Sequence, residues 1–177
     1  MSRDTRRYIK RKLLYAGKRF QAYLDQLEWP GKKKVFREWV ARPGISGVIA
    51  LTRPDHMLLV RQHRWGANRW FWEIPAGTFD KGDSPLSCAR RECEEETGYK
   101  PTRIKSLGFY FASPAHSDEK VHLFVASGLQ KSKMNLDYDE RLVVKSFSIA
   151  EVKRMLKSGK IHDAKTVIAL YRFFKRV

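Results

Sequence analysis

The segment Ser84–Gly98, "SPLSCARRECEEETG", writes out both ends of a helix, and that constrains everything packed around it. Ser84 stands where an N-cap accepts from the first turn. Pro85 suits the first helical position, and Gly98 is a natural stop because glycine takes the left-handed conformation cheaply. At about 100° per residue, Glu92, Glu95 and Glu96 fall on one face of this helix. Leu86 and Cys93 fall on another, an apolar side expected to dock on a sheet. Like charges at that spacing repel by about 0.2–0.5 kcal/mol per pair, so the acidic face calls for neutralisation. The helix alone leaves two ways open: salt bridges from Arg90 and Arg91, or a hard divalent cation, Mg²⁺ or Mn²⁺, on the carboxylate oxygens.

The flanks read as strands. "ISGVIALTRPDHMLLVRQHRW" gives Ile45–Leu51 and Met57–Gln62 around a Pro-Asp turn, and "RWFWEIPAG" is an extended run ending at Pro75-Ala76-Gly77. Strands follow around Ser106–Ala112 and Val121–Ala126. The strand "RLVVKSFSI" then leads into a helix, "AEVKRMLKSG", and a last helix covers about Asp163–Phe174. Strands interleaved with three helices predict a mixed α/β layer fold. Before residue 45, short strands separated by Gly17 and the Trp29-Pro30-Gly31 turn predict an added small sheet. At 177 residues and 42% apolar, the chain can bury a core without staples. Cys88 and Cys93, five apart on one helix, cannot pair, no zinc-type Cys/His cluster exists, and both read as reduced packing residues.

Charge is the compositional outlier: 36 Lys and Arg against 19 Asp and Glu give a net +17. The first nineteen residues hold eight basic side chains against one Asp, and "GKKK" follows at Gly31–Lys34. Such a field draws anions, whether nucleotides, nucleic acid or an acidic membrane surface, unless it is simply a solvated face. Neither an ordinary signal peptide nor a transmembrane stretch is visible, so a cytoplasmic location is expected.

The spacing around the acidic helix resembles the Nudix hydrolase signature, Gly-x5-Glu-x7-Arg-Glu-U-x-Glu-Glu-x-Gly-U, with U a bulky apolar residue. Gly77, Arg91, Glu92, Glu95, Glu96 and Gly98 match, and Cys93 and Tyr99 fill the U positions. Asp83 stands where the family usually has Glu, a position that commonly braces the loop and the arginine. The resemblance implies an α/β/α Nudix sandwich over 45–177, with residues 1–44 an N-terminal antiparallel β segment serving dimerisation and the substrate site. It implies that Glu92 and Glu96, helped by Glu95 and the Ala76 carbonyl, hold Mg²⁺, with Mn²⁺ as a substitute, against a substrate pyrophosphate. Metal there polarises the phosphoryl oxygens and activates a water toward phosphorus. Glu94 is left as a bystander.

"WEIPAG" before the signature and "SPAHSDE" after it resemble the branch of ADP-ribose pyrophosphatases and nucleoside diphosphate sugar hydrolases. "YAGKRF", "RQHR" and "GKIHDAKT" extend the likeness over roughly residues 12–174. Pro114 matches the marker proline of that branch, and Glu119 its general base, an exposed loop acid being the plainer reading. Glu140 in "DYDER" is the alternative base. Arg64 should contact phosphates or brace the site, Glu73 should support that arginine or touch substrate, and His63 should pack. Arg37 and Glu38 occupy the region that reaches substrate, in the neighbouring subunit of a homodimer. Trp29, Phe36 and Trp39 are candidates for stacking on a base, core or interface being the plainer reading. Asp163 and Lys165, in an Asp-x-Lys pattern, resemble the sugar-nucleotide enzymes, whereas the plainer reading is an N-cap with a solvated lysine. The resemblance points first to hydrolysis of nucleoside diphosphate sugars to nucleoside monophosphate and sugar 1-phosphate, with ADP-ribose also accepted. The alternatives are a dedicated ADP-ribose pyrophosphatase, giving AMP and ribose 5-phosphate, and, further off, an RNA 5′-end pyrophosphohydrolase or RNA-binding protein. No specific nucleic-acid partner is expected.

Overall fold

The computed structural model describes residues 7–136 and 141–175, and its chain divides into two compact units. One comprises residues 1–43 with 111–120. Its sheet is an antiparallel meander of β1 (Arg7–Ala16), β2 (Gln21–Trp29) and β3 (Lys33–Ala41), in that order. The expected turn at Trp29-Pro30-Gly31 forms, with Gly31 and Lys32 both at positive φ (84° and 59°). Asp25 sits buried at the middle of this sheet. It accepts a fork from Arg11 (2.8 and 2.9 Å) and a bond from Trp39 Nε1 (3.0 Å), which hold its carboxyl below the ordinary range against the opposing effect of burial. Residues 111–120 join by backbone: Val40 N donates to His116 O at 2.8 Å.

The other unit, residues 44–110 and 121–177, holds the larger sheet. Its strands are β4 (Ile45–Arg53), β5 (His56–Arg64), β6 (Arg69–Glu73), β7 (Ala76–Thr78), β8 (Tyr99–Phe111), β9 (Lys120–Lys131) and β10 (Leu142–Ser148). The order is β10-β5-β4-β9-β8, with β6 on β5 and β7 on β4. β4 and β9 run parallel, Ile45 opposite Val121 through Ala50 opposite Ala126. Alternation along these strands builds two apolar faces. Val48, Ala50, Leu58, Phe124 and Ala126 meet Ala89 and Cys93 of helix α1 (Pro85–Thr97). Ile49, Met57, Leu59 and Leu123 meet Val152 of α2 (Ile149–Lys157) and Ala169, Leu170 and Phe173 of α3 (Ala164–Phe174). This is the expected α/β/α sandwich.

All three helices start at side-chain caps. Ser84 accepts from Ser87 N, Ser148 from Glu151 N and Asp163 from Thr166 N, each satisfying an orphan donor for about 1 kcal/mol. Gly98 closes α1 at φ 72°, as its sequence required. One expectation for α1 needs correcting. Leu86 does not dock: it is 43% exposed. It lies on the Cys93 stripe but in the first turn, before the buried stretch begins at Cys88 and Ala89.

The extended run through "WEIPAG" is two strands. Pro75 has no N–H to continue a ladder, so the chain leaves β5 after Glu73 and resumes against β4 at Ala76. The freed groups are met elsewhere: Ile74 N donates to Thr166 Oγ1 (2.9 Å) and Pro75 O accepts from Val48 N (2.9 Å).

Candidate active site

The "WEIPAG" crossover lies against the acidic face of α1. Ala76 N donates to Glu96 Oε2 at 2.8 Å. A Cβ built on Gly77 would fall inside the Glu92 carboxylate, so any other residue there would push that carboxylate aside. Glu92 and Glu96 are both buried, and Glu95 is half-buried. Arg91 organises the rest. Nη1 donates to Glu92 (2.7 Å) and Glu95 (3.0 Å), and Nη2 to Thr78 O (2.9 Å) and Asp83 (3.0 Å). Its Nε, buried and without a hydrogen bond, lies 3.3 Å from Asp80. Burial alone would lower the pKa of Arg91, but Glu92, Asp83 and Glu95 raise it well above the ordinary value. Arg90, the other candidate partner of the acidic face, instead donates to Pro101 O at 3.0 Å.

Asp83 reaches its arginine despite being one carbon short. It also accepts from Asp80 N (3.0 Å) and Ser87 Oγ (2.9 Å), and the bond from Asp80 N, then Arg91, lowers its pKa. Glu94 faces away and accepts from Ser132 Oγ at 2.6 Å. Cys88 and Cys93 are free and buried, and burial pushes both thiols up to about 12, as befits packing residues.

The donor chemistry fits a hard divalent ion. Four carboxylates (Asp80, Asp83, Glu92 and Glu95) surround one guanidinium, and Glu96 lies beside them on the helix. Glu92 and Glu96 are buried, and five carboxylates beside one guanidinium leave negative charge that a cation would offset. Among the described residues no three His, Cys, Asp or Glu side chains already close a cage, and Arg91 donates to one oxygen each of Glu92 and Glu95.

At its other end the crossover carries two cations matched by two carboxylates. Glu73, 1% exposed, receives a fork from Arg64 (Nε 2.8 Å, Nη2 2.6 Å) and a bond from Lys165 Nζ. Lys165 Nζ also donates to Asp163 Oδ1 at 3.1 Å, and Asp163 Oδ2 accepts from Thr166 N and Oγ1. Burial alone would raise the carboxyl of Glu73, but Arg64 and Lys165 hold it below its usual range. Arg64, whose pKa burial would lower, is raised by Glu73 first and by Asp163 and Glu96 at longer range. Lys165 is buried, so the picture of a solvated lysine behind an N-cap fails for the lysine and holds for the cap. Thr166 is the residue sequence reading missed. It is fully buried and joins the Asp163 carboxylate to the Ile74 N–H. A hydroxyl three positions after an Asp cap was the available signal.

Most of the remaining candidates lie in the other unit. Arg37 and Glu38 are exposed on β3. Glu119 is not the exposed loop acid of the plainer reading: it is 9% exposed and paired with Arg42 Nε at 3.2 Å, a partner sequence reading did not supply. Pro114, Trp39 and Phe111 line a cavity of roughly 310 Å³ together with Ala115, Ser117 and Asp118. Trp39 stacks on Tyr23 (5.2 Å, 26°), whereas Trp29 and Phe36 are exposed. His63 packs between Trp65 and Trp70, as expected. Glu140 lies outside the described residues. No helix among the described residues is long and apolar enough to cross a membrane.

Comparison with known proteins agrees with this geometry. The NUDIX domain family model matches residues 42–170. An ADP-ribose pyrophosphatase of Bacillus subtilis (strain 168) is 35% identical over 164 residues, 92% of this chain and 89% of that one. A methanol dehydrogenase activator of Bacillus methanolicus is 37% identical over the same shares. A GDP-mannose pyrophosphatase of Escherichia coli (strain K12) is 31% identical over 72% of this chain and 71% of its own. A solved structure, described as an ADP compounds hydrolase, superposes with a TM-score of 0.88 over 99% of this chain and 96% of that one, at 21% identity, a likeness of fold. The chain belongs to the Nudix family and is a pyrophosphohydrolase of it.

Proposed function

We propose that the protein hydrolyses the pyrophosphate of nucleoside diphosphate sugars to nucleoside monophosphate and sugar 1-phosphate, and also accepts ADP-ribose. The observation that carries this reading is the crossover itself, which sets a carboxylate-rich face and a cation pair three residues apart, at Ala76 and Glu73. Relatives named for ADP-ribose and for GDP-mannose support the substrate class. In this reading residues 1–44 form the β segment and 45–177 the hydrolase domain.

Glu92, Glu95, Glu96 and the Ala76 carbonyl would hold Mg²⁺, or Mn²⁺ in its place, which supplies polarisation of the phosphoryl oxygens and offsets charge on the leaving phosphate. Arg91 keeps the acidic face assembled and partly offsets its charge before substrate arrives. Arg64, anchored through Nε and Nη2, has Nη1 left to donate to a phosphate oxygen. Lys165, steered by Asp163 and Glu73, adds positive potential in a site where burial strengthens it. Glu119 is the proposed general base that takes the proton of the attacking water, and Glu140 is the alternative. Pro114 and Trp39, on their cavity, are assigned to the substrate's base. Arg37 and Glu38 are assigned to substrate across a homodimer. An exposed β1 carrying Tyr8, Ile9, Leu13, Leu14 and Tyr15 supports such a dimer.

A second reading, a dedicated ADP-ribose pyrophosphatase, is favoured by the 35% identity to the Bacillus subtilis enzyme. One panel separates them: purified protein with Mg²⁺ or Mn²⁺ against ADP-ribose, GDP-mannose, UDP-glucose, ADP-glucose, dinucleoside polyphosphates and capped RNA. Comparable kcat/KM on sugar nucleotides and ADP-ribose is expected. Turnover of ADP-ribose alone selects the second reading, and turnover of capped RNA alone overturns both.

A further inference from the structure

The β5–β6 hairpin carries a row of rings that the hydrolytic site does not use. In this register Arg61 faces Trp72 and His63 faces Trp70, while Val143 of β10 faces Arg61. Cross-strand partners and alternate residues share a face, so these side chains form one ladder. Its inner end is core: Trp72 meets Phe147 edge-on at 5.0 Å. Outward the helices stop covering it. Trp70 is 47% exposed, Val143 55%, and Trp65, in the 3₁₀ turn at the hairpin's tip, 85%. The alternate face of the same strand carries Arg64, turned to Glu73 and the proposed active site.

These exposed rings are held in place. His63 meets Trp65 at 79° and 4.9 Å and Trp70 at 68° and 5.6 Å, edge contacts that fix the indoles. The Arg61 guanidinium lies 5.4 Å from the Trp70 centroid on this face, whereas Arg69 and Phe71, opposite Arg64 and Gln62, belong to the other. From His56 to Trp72 the sequence has no Asp or Glu, in a chain of net charge +17. Ring faces open to solvent, flanked by Arg61, for which the described residues show no carboxylate partner, and backed by a sheet, match what successive unpaired bases and their phosphates need. Among the described residues the outer ladder offers one aliphatic side chain, Val143, against the two indoles, and the flat indole faces suit stacking on bases.

We propose that this sheet face is a stacking platform for single-stranded nucleic acid, tolerant of sequence and separate from pyrophosphate hydrolysis. The test is fluorescence anisotropy of a labelled oligo(rU) of about a dozen nucleotides against the full chain, without divalent metal, over a series of salt concentrations. Trp65→Ala and Trp70→Ala should each weaken binding about tenfold with the salt slope unchanged, because stacking is lost and no charge is. Arg61→Ala should lower the slope by about one. Sugar-nucleotide hydrolysis by Trp65→Ala should match wild type, and thermal unfolding of each variant reports whether it folds. Three results overturn the proposal: oligonucleotide binding indifferent to Trp65 and Trp70, binding to phosphatidylserine vesicles without binding to the oligonucleotide, or a Trp65→Ala variant whose only change is its oligomeric state in sedimentation.

Discussion

The two ends of the Glu73–Gly77 crossover are charged clusters of different balance. At Ala76 and Gly77 several carboxylates share one guanidinium, while at Glu73 two carboxylates, Glu73 and Asp163, meet two cations, Arg64 and Lys165. The acidic cluster is adapted to further positive charge, whereas the matched pairs leave only their unused N–H donors to meet an anion. A pyrophosphate bound with a divalent ion brings both. The difference teaches that protein-side ion pairs here position groups for a ligand more than they stabilise the fold, since buried pairs roughly break even against their desolvation.

The acidic end should be the more sensitive in catalysis. Glu96→Gln keeps an acceptor for Ala76 N but removes a negative charge, so Mg²⁺-dependent hydrolysis should fall about a thousandfold with little change in Tm. Retained activity would remove the metal face from the mechanism. The base comes next. Of Glu119→Gln and Glu140→Gln, only the true base should lower kcat, by about a hundred- to ten-thousandfold, with KM near wild type.

Glu73→Gln breaks the other end and should show in stability as well as activity. It leaves half-buried Arg64 without its carboxylate and buried Lys165 with Asp163 alone, which should cost about 3–5 kcal/mol in denaturant unfolding. The pH dependence follows from the sign of the shift. The folded carboxyl of Glu73 is held below its unfolded value, ordinarily about 4.3, so its contribution is complete above that pH. It is lost as pH falls through the lower folded value. Unfolding measured from neutrality into acid should therefore show a shallower acid limb in Glu73→Gln than in wild type. An unchanged limb would mean that Glu73 is not the group held ionised there.

How much of this was legible follows from how local each signal is. The ends of α1, the face shared by Glu92, Glu95 and Glu96, and the cap at Asp163 depend on neighbours within one or two turns, and each could be read from spacing. The strand run through Pro75 could be read as extended but not as a switch of partner, because that depends on which strand receives Ala76. Leu86 failed for a similar reason: helical phase assigns a stripe, and tertiary contact decides where along the helix the stripe is covered. The bonds from Thr166 Oγ1 to Ile74 and from Lys165 to Glu73 join residues far apart in the chain, beyond the reach of periodicity. The Nudix signature supplied the acidic end, but not the shared anchoring of Arg64 and Lys165 on Glu73.

The smallest expected effect is the most direct measure of how far the acidic end depends on its brace. Asp83 departs from the usual Glu, yet it bonds Arg91, Ser87 and Asp80 N together. If the bond to Arg91 is all that the position requires, Asp83→Glu should leave hydrolysis and stability nearly unchanged, within about 0.5 kcal/mol. Asp83→Ala should cost more, because it takes from Nη2 of Arg91 its carboxylate anchor, leaving Thr78 O and Cys88 Sγ, while Nη1 stays on Glu92 and Glu95. The expected signature is a rise in the Mg²⁺ concentration needed for half-maximal rate, with KM for the sugar nucleotide unmoved. A Glu variant that instead gains activity several-fold would show that the shorter acid holds Arg91 too close to the acidic face, and that this chain works below what its own site allows.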